Sequence, residues 1–302
     1  FAILMPMTAV VLVILLIITL SYRNVINVYT KTGGAYIVSR DNFGPVVAQI
    51  AAVALMLDYI VTVAIQSAAG VAAIISTFPS LHSWKIPMIL LVIVVLTFGN
   101  LRGVKEAGKA FAMPTYFFIS CMFIVFSIGI YRNFTGTLET LPTDQVGAVP
   151  LGEGQGLLTF AAIFILLRAF ANGGSSLTGL EAISDGVALF QQPEHVNARR
   201  TLFIMSGLLG SLVLGVSWFA HRIYAMPYES GTPTVISQIA KTIVGDGVFG
   251  QIMFVMVQAA TMLILFAGAN TTYSAFPLLC NFVATDGYLP RQLTKRGHRL
   301  AF

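Results

Sequence analysis

Seven long apolar segments, separated by shorter polar stretches, make up most of the chain. These segments, spans A to G, cover about residues 2–22, 45–78, 86–101, 110–131, 156–189, 201–220 and 248–284. A helix needs about 20 consecutive apolar residues to cross the hydrocarbon core of a bilayer. The pattern therefore predicts an all-α, polytopic membrane protein with about seven transmembrane helices. Spans B, E and G are longer, so we expect them to tilt, break or project beyond the bilayer.

The composition supports the membrane assignment and excludes other classes of protein. Of the 302 residues, 57% are hydrophobic and only 10% are charged, whereas about 25% of residues in soluble domains are charged. No GxSxG, HExxH, phosphate-binding or dinucleotide-binding motif is present, so we predict neither an enzyme nor a bound cofactor. Cys121 and Cys280 lie within apolar spans, which argues against a disulfide or a zinc site.

Basic residues are distributed unevenly between alternate loops. Twelve follow spans A, C, E and G: Arg23, Lys31, Arg40, Arg102, Lys105, Lys109, Arg199, Arg200, Arg291, Lys295, Arg296 and Arg299. Four follow spans B, D and F: Lys85, Arg132, Arg222 and Lys241. Because lysine and arginine collect in cytoplasmic loops, the first group is predicted to be cytoplasmic. The start of the chain is then outside and its end inside, and the net charge of +5 indicates no nucleic-acid surface.

We expect the chain to be a piece of a longer transporter. Phe1 already lies in an apolar run, and Phe302 comes just after a basic stretch. We therefore interpret residues 1–302 as one transmembrane transporter domain that is truncated at both ends, without the helix before span A or the helices after span G.

Span E contains a run of residues that disfavours a continuous helix. Gly173 and Gly174 follow Asn172 and precede Ser175 and Ser176, and each glycine costs about 1 kcal/mol relative to alanine in a helix. Unwound backbone survives at membrane depth where it lines a cavity, and transporters bind substrates or ions at such breaks. The pattern therefore favours a broken helix. The alternative is close packing of a neighbouring helix against small residues.

Two charged residues, Asp58 in span B and Arg168 in span E, lie within apolar segments. A charge at a helix centre costs about 2.5–3.5 kcal/mol on insertion scales, so these residues indicate an ion pathway or a structural ion pair. On a helix, Asp58 shares one face with Tyr59, Thr62 and Gln66. Such a face of oxygen atoms can replace the hydration shell of a monovalent cation. Hydrogen bonding between helices is the alternative.

Two more polar groups are candidates for function. Glu181 follows Thr178 by three residues, beside the predicted break, where a buried carboxylate can exchange protons. A solvated helix end is the alternative for Glu181. A second polar patch in span G consists of Asn270, Thr271, Thr272 and Ser274. We interpret this patch either as another ion-lining face or as a contact between helices.

Several segments resemble the amino acid–polyamine–organocation (APC) superfamily of secondary transporters. Residues 33–36, Gly-Gly-Ala-Tyr, resemble the first cytoplasmic loop of that superfamily. Residues 57–64 look like the third helix of its Kim-type bacterial potassium importers, and residues 167–170 and 176–184 resemble the same importers. Residues 286–292 are similar to the loop after the eighth helix of the superfamily. The resemblance covers nearly the whole chain.

This resemblance implies a fold of two inverted five-helix repeats, in which spans A to G are helices two to eight. It implies that Tyr59, Thr62 and Thr178 coordinate potassium and that Glu181 couples protons to transport. Gln66 stands where a serine hydroxyl is expected, which weakens that ligand or alters its selectivity. Further ligands are expected on a first helix outside the chain.

Three functions are compatible with these features. We expect first a secondary active transporter in the cell membrane that takes up potassium by symport with protons. An amino-acid permease, in which residues 173–176 would bind an α-carboxylate, is the second, and a non-transporting membrane sensor or scaffold is the third. The expected partners are the lipid bilayer and a small cation or amino acid, without nucleic acid. A homodimer of the full-length protein is compatible with the sequence.

Overall fold

The computed structural model describes residues 3–29, 34–101, 107–149, 160–174, 179–180, 183, 187 and 190–295. In these ranges the chain is helical and has no β-strand, which confirms the all-α prediction. The α-helices are α1 (Leu4–Val28), α2 (Gly34–Phe43), α3 (Pro45–Thr77), α4 (Lys85–Leu101), α5 (Ala107–Phe134), α6 (Phe160–Gly174), α7 (Glu194–Ile223), α8 (Val235–Val244) and α9 (Val248–Thr285). Two short 3-10 helices are Pro79–Trp84 and Arg291–Thr294.

The predicted spans correspond to α1, α3, α4, α5, α6, α7 and α9. Among the described residues, six helices are long and apolar enough to cross a membrane, and these are all of the seven except α6. Several helices continue beyond the apolar window that predicted them. For example, α1 ends at Val28 rather than near residue 22, because the fully buried Ile26 packs within the protein there.

Two helices, α2 and α8, were not predicted from the apolar pattern because each has only 10 residues. Gly44, at φ +85°, separates α2 from α3 in a left-handed conformation that favours glycine. The side chain of Thr234 caps α8 by accepting a hydrogen bond from the backbone amide of Ser237. At the other end of α8, Arg132 Nη1 donates to the carbonyl oxygens of residues 242 and 243 at 3.0 and 2.8 Å.

The chain divides into two compact units. The first unit comprises Phe1–Ala48 and Val149–Tyr224, and the second comprises Gln49–Ala148 and Ala225–Phe302. Helices α1, α2, α6 and α7 therefore belong to the first unit. The second contains nearly all of α3, together with α4, α5, α8 and α9.

In the first unit, α1 is the central helix and packs against both α7 and α6. The buried core of this unit consists of Val11, Leu15, Ile26, Leu180, Ile183, Val187, Ala198 and Leu202. Thr19 of α1 and Ser206 of α7 share a buried hydrogen bond of 2.8 Å. Lipid cannot satisfy either hydroxyl, so this hydrogen bond favours the pairing of α1 with α7 over exposure of each helix to the bilayer.

In the second unit, α9 packs against α4, α5 and α8. At one end of this unit, the loops after α3, α5 and α7 surround a cavity of about 1160 Å³. Lys85 Nζ donates to the carbonyl oxygen of Ser230 at 2.6 Å and so joins two of these loops. The three loops are those that carry few basic residues, and their association agrees with the predicted alternation of loops between the two sides of the membrane.

The two glycines at the end of α6 have different surroundings. A Cβ added at Gly173 would lie 2.9 Å from Cγ2 of Val11 on α1, which is closer than real Cβ contacts. A Cβ added at Gly174 would meet nothing within 4 Å. Packing against a neighbouring helix, which the sequence offered as the alternative reading, therefore applies to Gly173, whereas Gly174 has no such role among the described residues.

We predict that Gly173→Ala destabilises the first unit by about 1–3 kcal/mol, because the added methyl group overpacks the contact with Val11. Gly174→Ala should leave the stability within about 0.5 kcal/mol of the parent. Thermal unfolding of the purified protein in detergent measures both effects. Val11→Ala in the Gly173→Ala background should recover part of the loss, and equal destabilisation by both glycine variants would contradict the assignment.

Candidate functional site

The oxygen-bearing residues of α3 lie on the recessed side of the helix. The Tyr59 side chain is buried, and Asp58, Thr62 and Gln66 are half-buried. The apolar residues between them point the other way, since Ile60, Val61 and Ile65 are 58%, 51% and 53% exposed. Helical periodicity had predicted the shared face of the polar residues. The structure adds that this face is directed away from the exposed surface of its unit.

The face of α3 that carries Asp58, Tyr59, Thr62 and Gln66, here called the α3 face, meets α9 at the level of Gln66 and Gly70. A Cβ added at Gly268 of α9 would lie 2.6 Å from Gln66 Oε1 and 2.9 Å from Nε2. One turn further along α3, the ring of Phe266 occupies the space in which a Cβ of Gly70 would lie. Each helix thus provides a glycine that receives a large side chain of the other. Such close approach through small residues is the usual basis of helix association in lipid.

Several buried side-chain atoms on α3 and α9 have no hydrogen-bond partner among the residues that the structure describes. They are Gln66 Oε1, Ser67 Oγ and both amide atoms of Gln258. Ser67 is fully buried, and Gln258 is 2% exposed. An unsatisfied buried polar group costs about 1–3 kcal/mol, so these atoms are suited to accept a ligand, an ion or water. Sequence patterns had suggested Gln66 but neither Ser67 nor Gln258.

One residue of the second polar patch on α9, Asn270, contacts α4, and so does its neighbour Tyr273. Asn100 Nδ2 donates to Asn270 Oδ1 at 2.6 Å, and the hydroxyls of Thr97 and Tyr273 lie 2.9 Å apart. Thr272 is buried and donates to the carbonyl oxygen of its own helix at residue 268. Of the two readings of this patch, the structure favours a contact between helices for Asn270. The side chain of Ser274 lies outside the described residues.

Span E is interrupted in the described structure. Helix α6 ends at Gly174, and Gly179 has a φ of +101°, which a helix does not contain. Arg168 lies in α6 with an exposed side chain. The other predicted site residues of span E, namely Ser175, Ser176, Thr178 and Glu181, lie outside the described residues. Asp58, Tyr59, Thr62 and Gln66 belong to the second unit, and Arg168, Gly173 and Gly174 belong to the first.

The α3 face has the chemistry of a site for a dehydrated monovalent cation. A phenol, a hydroxyl and an amide oxygen can replace water around the ion. The carboxyl group of Asp58, which lies beside them within the apolar helix, favours a cation there. Hydroxyl, phenol and amide oxygens are hard ligands, so this donor set suits a weakly bound alkali cation better than a transition metal.

Comparisons with known proteins give the family and one relative. The amino acid permease family matches residues 2–301 of the chain. A potassium transporter from Bacillus subtilis (strain 168), KimA, is 39% identical to the chain over 297 residues. This alignment covers 98% of the chain but 47% of the relative, so the chain spans about half the length of the curated relative that it matches.

These findings agree with the helical architecture and with the resemblance seen in the sequence. The family match includes every described helix, from α1 to α9. The apolar helices make the chain a multi-pass membrane protein. The chain belongs to the amino acid permease family of the APC superfamily.

Proposed function

We propose that the chain is part of a secondary transporter that takes up potassium together with protons. The observation that carries this proposal is the recessed face of neutral oxygens on α3, at Tyr59, Thr62 and Gln66. The relative named as a potassium transporter supports it, because its similarity extends over 98% of the chain. The activity belongs to the whole protein, and the chain contributes part of the ion site.

Neutral oxygens favour potassium for an energetic reason. A site of several carbonyl and hydroxyl dipoles compensates the ion for its lost hydration while binding it weakly enough for release. Asp58, next to Tyr59 on α3, contributes a charge that attracts the cation to this depth of the membrane. A membrane scaffold or sensor would not depend on a half-buried carboxylate in an apolar helix. Asp58→Asn should therefore be tolerated if the protein is a scaffold or sensor, and not if it transports a cation.

Amino-acid transport is the second candidate, and the interruption of span E after α6 favours it. Helix ends and unwound backbone bind the carboxylate of an amino acid in broken-helix transporters. The family description, amino acid permease, also points to this substrate class. We place it second because the carboxylate of Asp58, beside Tyr59 on α3, repels an α-carboxylate and attracts a cation.

Coupling to protons is proposed for Glu181, following the resemblance to potassium importers. This carboxylate follows Gly179, a described residue of span E with a non-helical backbone, by two positions. A carboxylate in such a place can bind and release a proton during transport. The proposed orientation puts residue 3 outside and residue 295 in the cytoplasm, because the loops rich in lysine and arginine are assigned to the cytoplasm.

We predict that Thr62→Val raises the half-saturating potassium concentration by about 10- to 150-fold, with less effect on the maximal rate. The lost hydroxyl is equivalent to a hydrogen bond to a charged group, which contributes about 1.5–3 kcal/mol. Uptake of potassium by the full-length protein in proteoliposomes measures both parameters.

The matched control for this experiment is Thr77→Val on the same helix, whose hydroxyl donates to the carbonyl oxygen of Ala73 at 3.3 Å. It should leave the half-saturating concentration unchanged. Unaltered potassium affinity in Thr62→Val, together with altered uptake of an amino acid, would reject the potassium reading and favour the amino-acid one.

We predict that Glu181→Gln separates potassium binding from proton coupling. Potassium should still bind, because the α3 oxygens are intact, whereas accumulation driven by an imposed proton gradient should be lost. The rise in unfolding temperature on addition of potassium measures binding, and uptake driven by a proton gradient measures coupling. Glu139→Gln, in an exposed loop, is the matched control and should accumulate potassium normally. Full gradient-driven accumulation by Glu181→Gln would assign the proton to another group.

We predict that a cysteine at Val146 reacts with a membrane-impermeant maleimide in intact cells. Val146 is 97% exposed and lies in a loop assigned to the outside. A cysteine at Gln292, exposed after α9, should react only after permeabilisation. The native cysteines, Cys121 and Cys280, are both buried and can be replaced by alanine to lower the background. The reverse labelling pattern would show that the chain has the opposite orientation in the membrane.

A further inference from the structure

The contact between Gln66 and Gly268 assigns a role to a residue that no sequence motif singles out. The carboxamide of Gln66 lies against the α9 backbone in space that exists only because residue 268 has no side chain. The distances from an added Cβ to Gln66 Oε1, Nε2 and Cδ are 2.6, 2.9 and 3.0 Å. A methyl group and this carboxamide therefore cannot occupy their places together.

The Gln66 amide is packed against α9 on one side. Its atoms occupy the space that a Cβ at residue 268 would fill. One turn along α3, the Phe266 ring occupies the space that a Cβ at Gly70 would fill, so the two helices approach closely at both positions. A long side chain such as glutamine samples several rotamers when it is free, and packing against a neighbouring helix excludes some of them. A ligand restricted in this way can discriminate between similar ions.

The oxygen of the Gln66 amide is available to bind an ion. Gln66 Oε1 is buried and has no hydrogen-bond partner in the part of the chain that the structure describes. Helical side chains tilt toward the amino-terminal end, so Gln66 leans toward the turn that carries Thr62. The two residues are four positions apart, which puts their Cβ atoms about 5–6 Å from each other on one face. One cation can be reached from both side chains.

We propose that Gly268 is a specificity-determining residue, which positions the Gln66 amide oxygen as a fixed ligand of the transported cation. This inference rests on the proposed cation transport. A rigid oxygen at a set distance favours ions of one radius, so moving it should change the preference between alkali cations and not merely slow transport. Gly268 acts through Gln66 and does not itself bind the ion.

The test compares Gly268→Ala with Gln66→Ser and with the double variant in proteoliposomes of the full-length protein. We expect Gly268→Ala to raise the half-saturating potassium concentration by about 10-fold and to change the ratio of rubidium to potassium affinity. In the Gln66→Ser background the carboxamide is gone, so adding Gly268→Ala should have little further effect. The double variant should therefore match Gln66→Ser alone.

Gly99→Ala on α4 is the matched control, since a Cβ there meets nothing within 4 Å. It should leave affinity and ion preference unchanged, which shows that a glycine replacement in this unit is tolerated. Thermal unfolding in detergent reports whether Gly268→Ala folds. If it folds poorly, the rubidium-to-potassium ratio of Gln66→Ser and of the double variant decides: a ratio that differs from the parent's supports the inference, and an unchanged ratio overturns it.

Two results would overturn the inference. One is an unchanged rubidium-to-potassium ratio in a folded Gly268→Ala protein, and the other is an equal effect of Gly268→Ala in both backgrounds. Either would make Gly268 a packing residue only, while a potassium effect of Thr62→Val would keep the proposed function intact. If Thr62→Val also leaves potassium transport unaltered, the proposed function itself fails.

Discussion

A polar side chain within an apolar helix has to be satisfied inside the protein, because the hydrocarbon of a bilayer provides no hydrogen-bond partner. Each described unit is organised around this constraint. In the first, Thr19 and Ser206 join α1 to α7. In the second, Asn100 and Asn270 join α4 to α9. These pairs hold helices together where apolar surfaces alone give no preference for protein over lipid.

Glycine provides the complementary element of the packing. At Gly173, Gly70 and Gly268 a side chain of the neighbouring helix fills the space that a Cβ would occupy. Close approach of this kind increases dispersion contacts, which are the main attraction between helices in lipid. The unsatisfied polar atoms of Gln66 and Ser67 lie on α3, where the glycine-mediated contact with α9 also occurs. We interpret this combination of tight packing and unmet polar capacity as a site for a bound ion.

The sequence predicted the membrane helices well because the bilayer imposes a length and a polarity on each of them. Hydropathy does not detect short helices such as α8, which has only 10 residues and buries the polar Ser237 and Gln238 beside its apolar residues. It also did not reveal that α1 extends to Val28, because that end is set by packing of Ile26 and not by the membrane.

The candidate site was predictable only where it depends on one helix. Periodicity placed Tyr59, Thr62 and Gln66 on one face of α3 because all three belong to the same helix. The role of Gly268 depends on a contact between residues about 200 positions apart, for which the chain carries no local signal. Likewise, nothing in the run around Gly173 and Gly174 distinguishes the glycine that packs on Val11 from the one that does not.

The hydrogen bond between α1 and α7 has a consequence for how the protein is made. Its two residues are 187 positions apart, and a ribosome adds about 5–20 residues per second, so Ser206 follows Thr19 by roughly 10–40 s. During that interval α3, α4 and α5 of the other unit are synthesised. Thr19 can meanwhile donate to the carbonyl oxygen of Leu15 at 2.7 Å. This bond within α1 lets the helix enter the membrane before its partner exists.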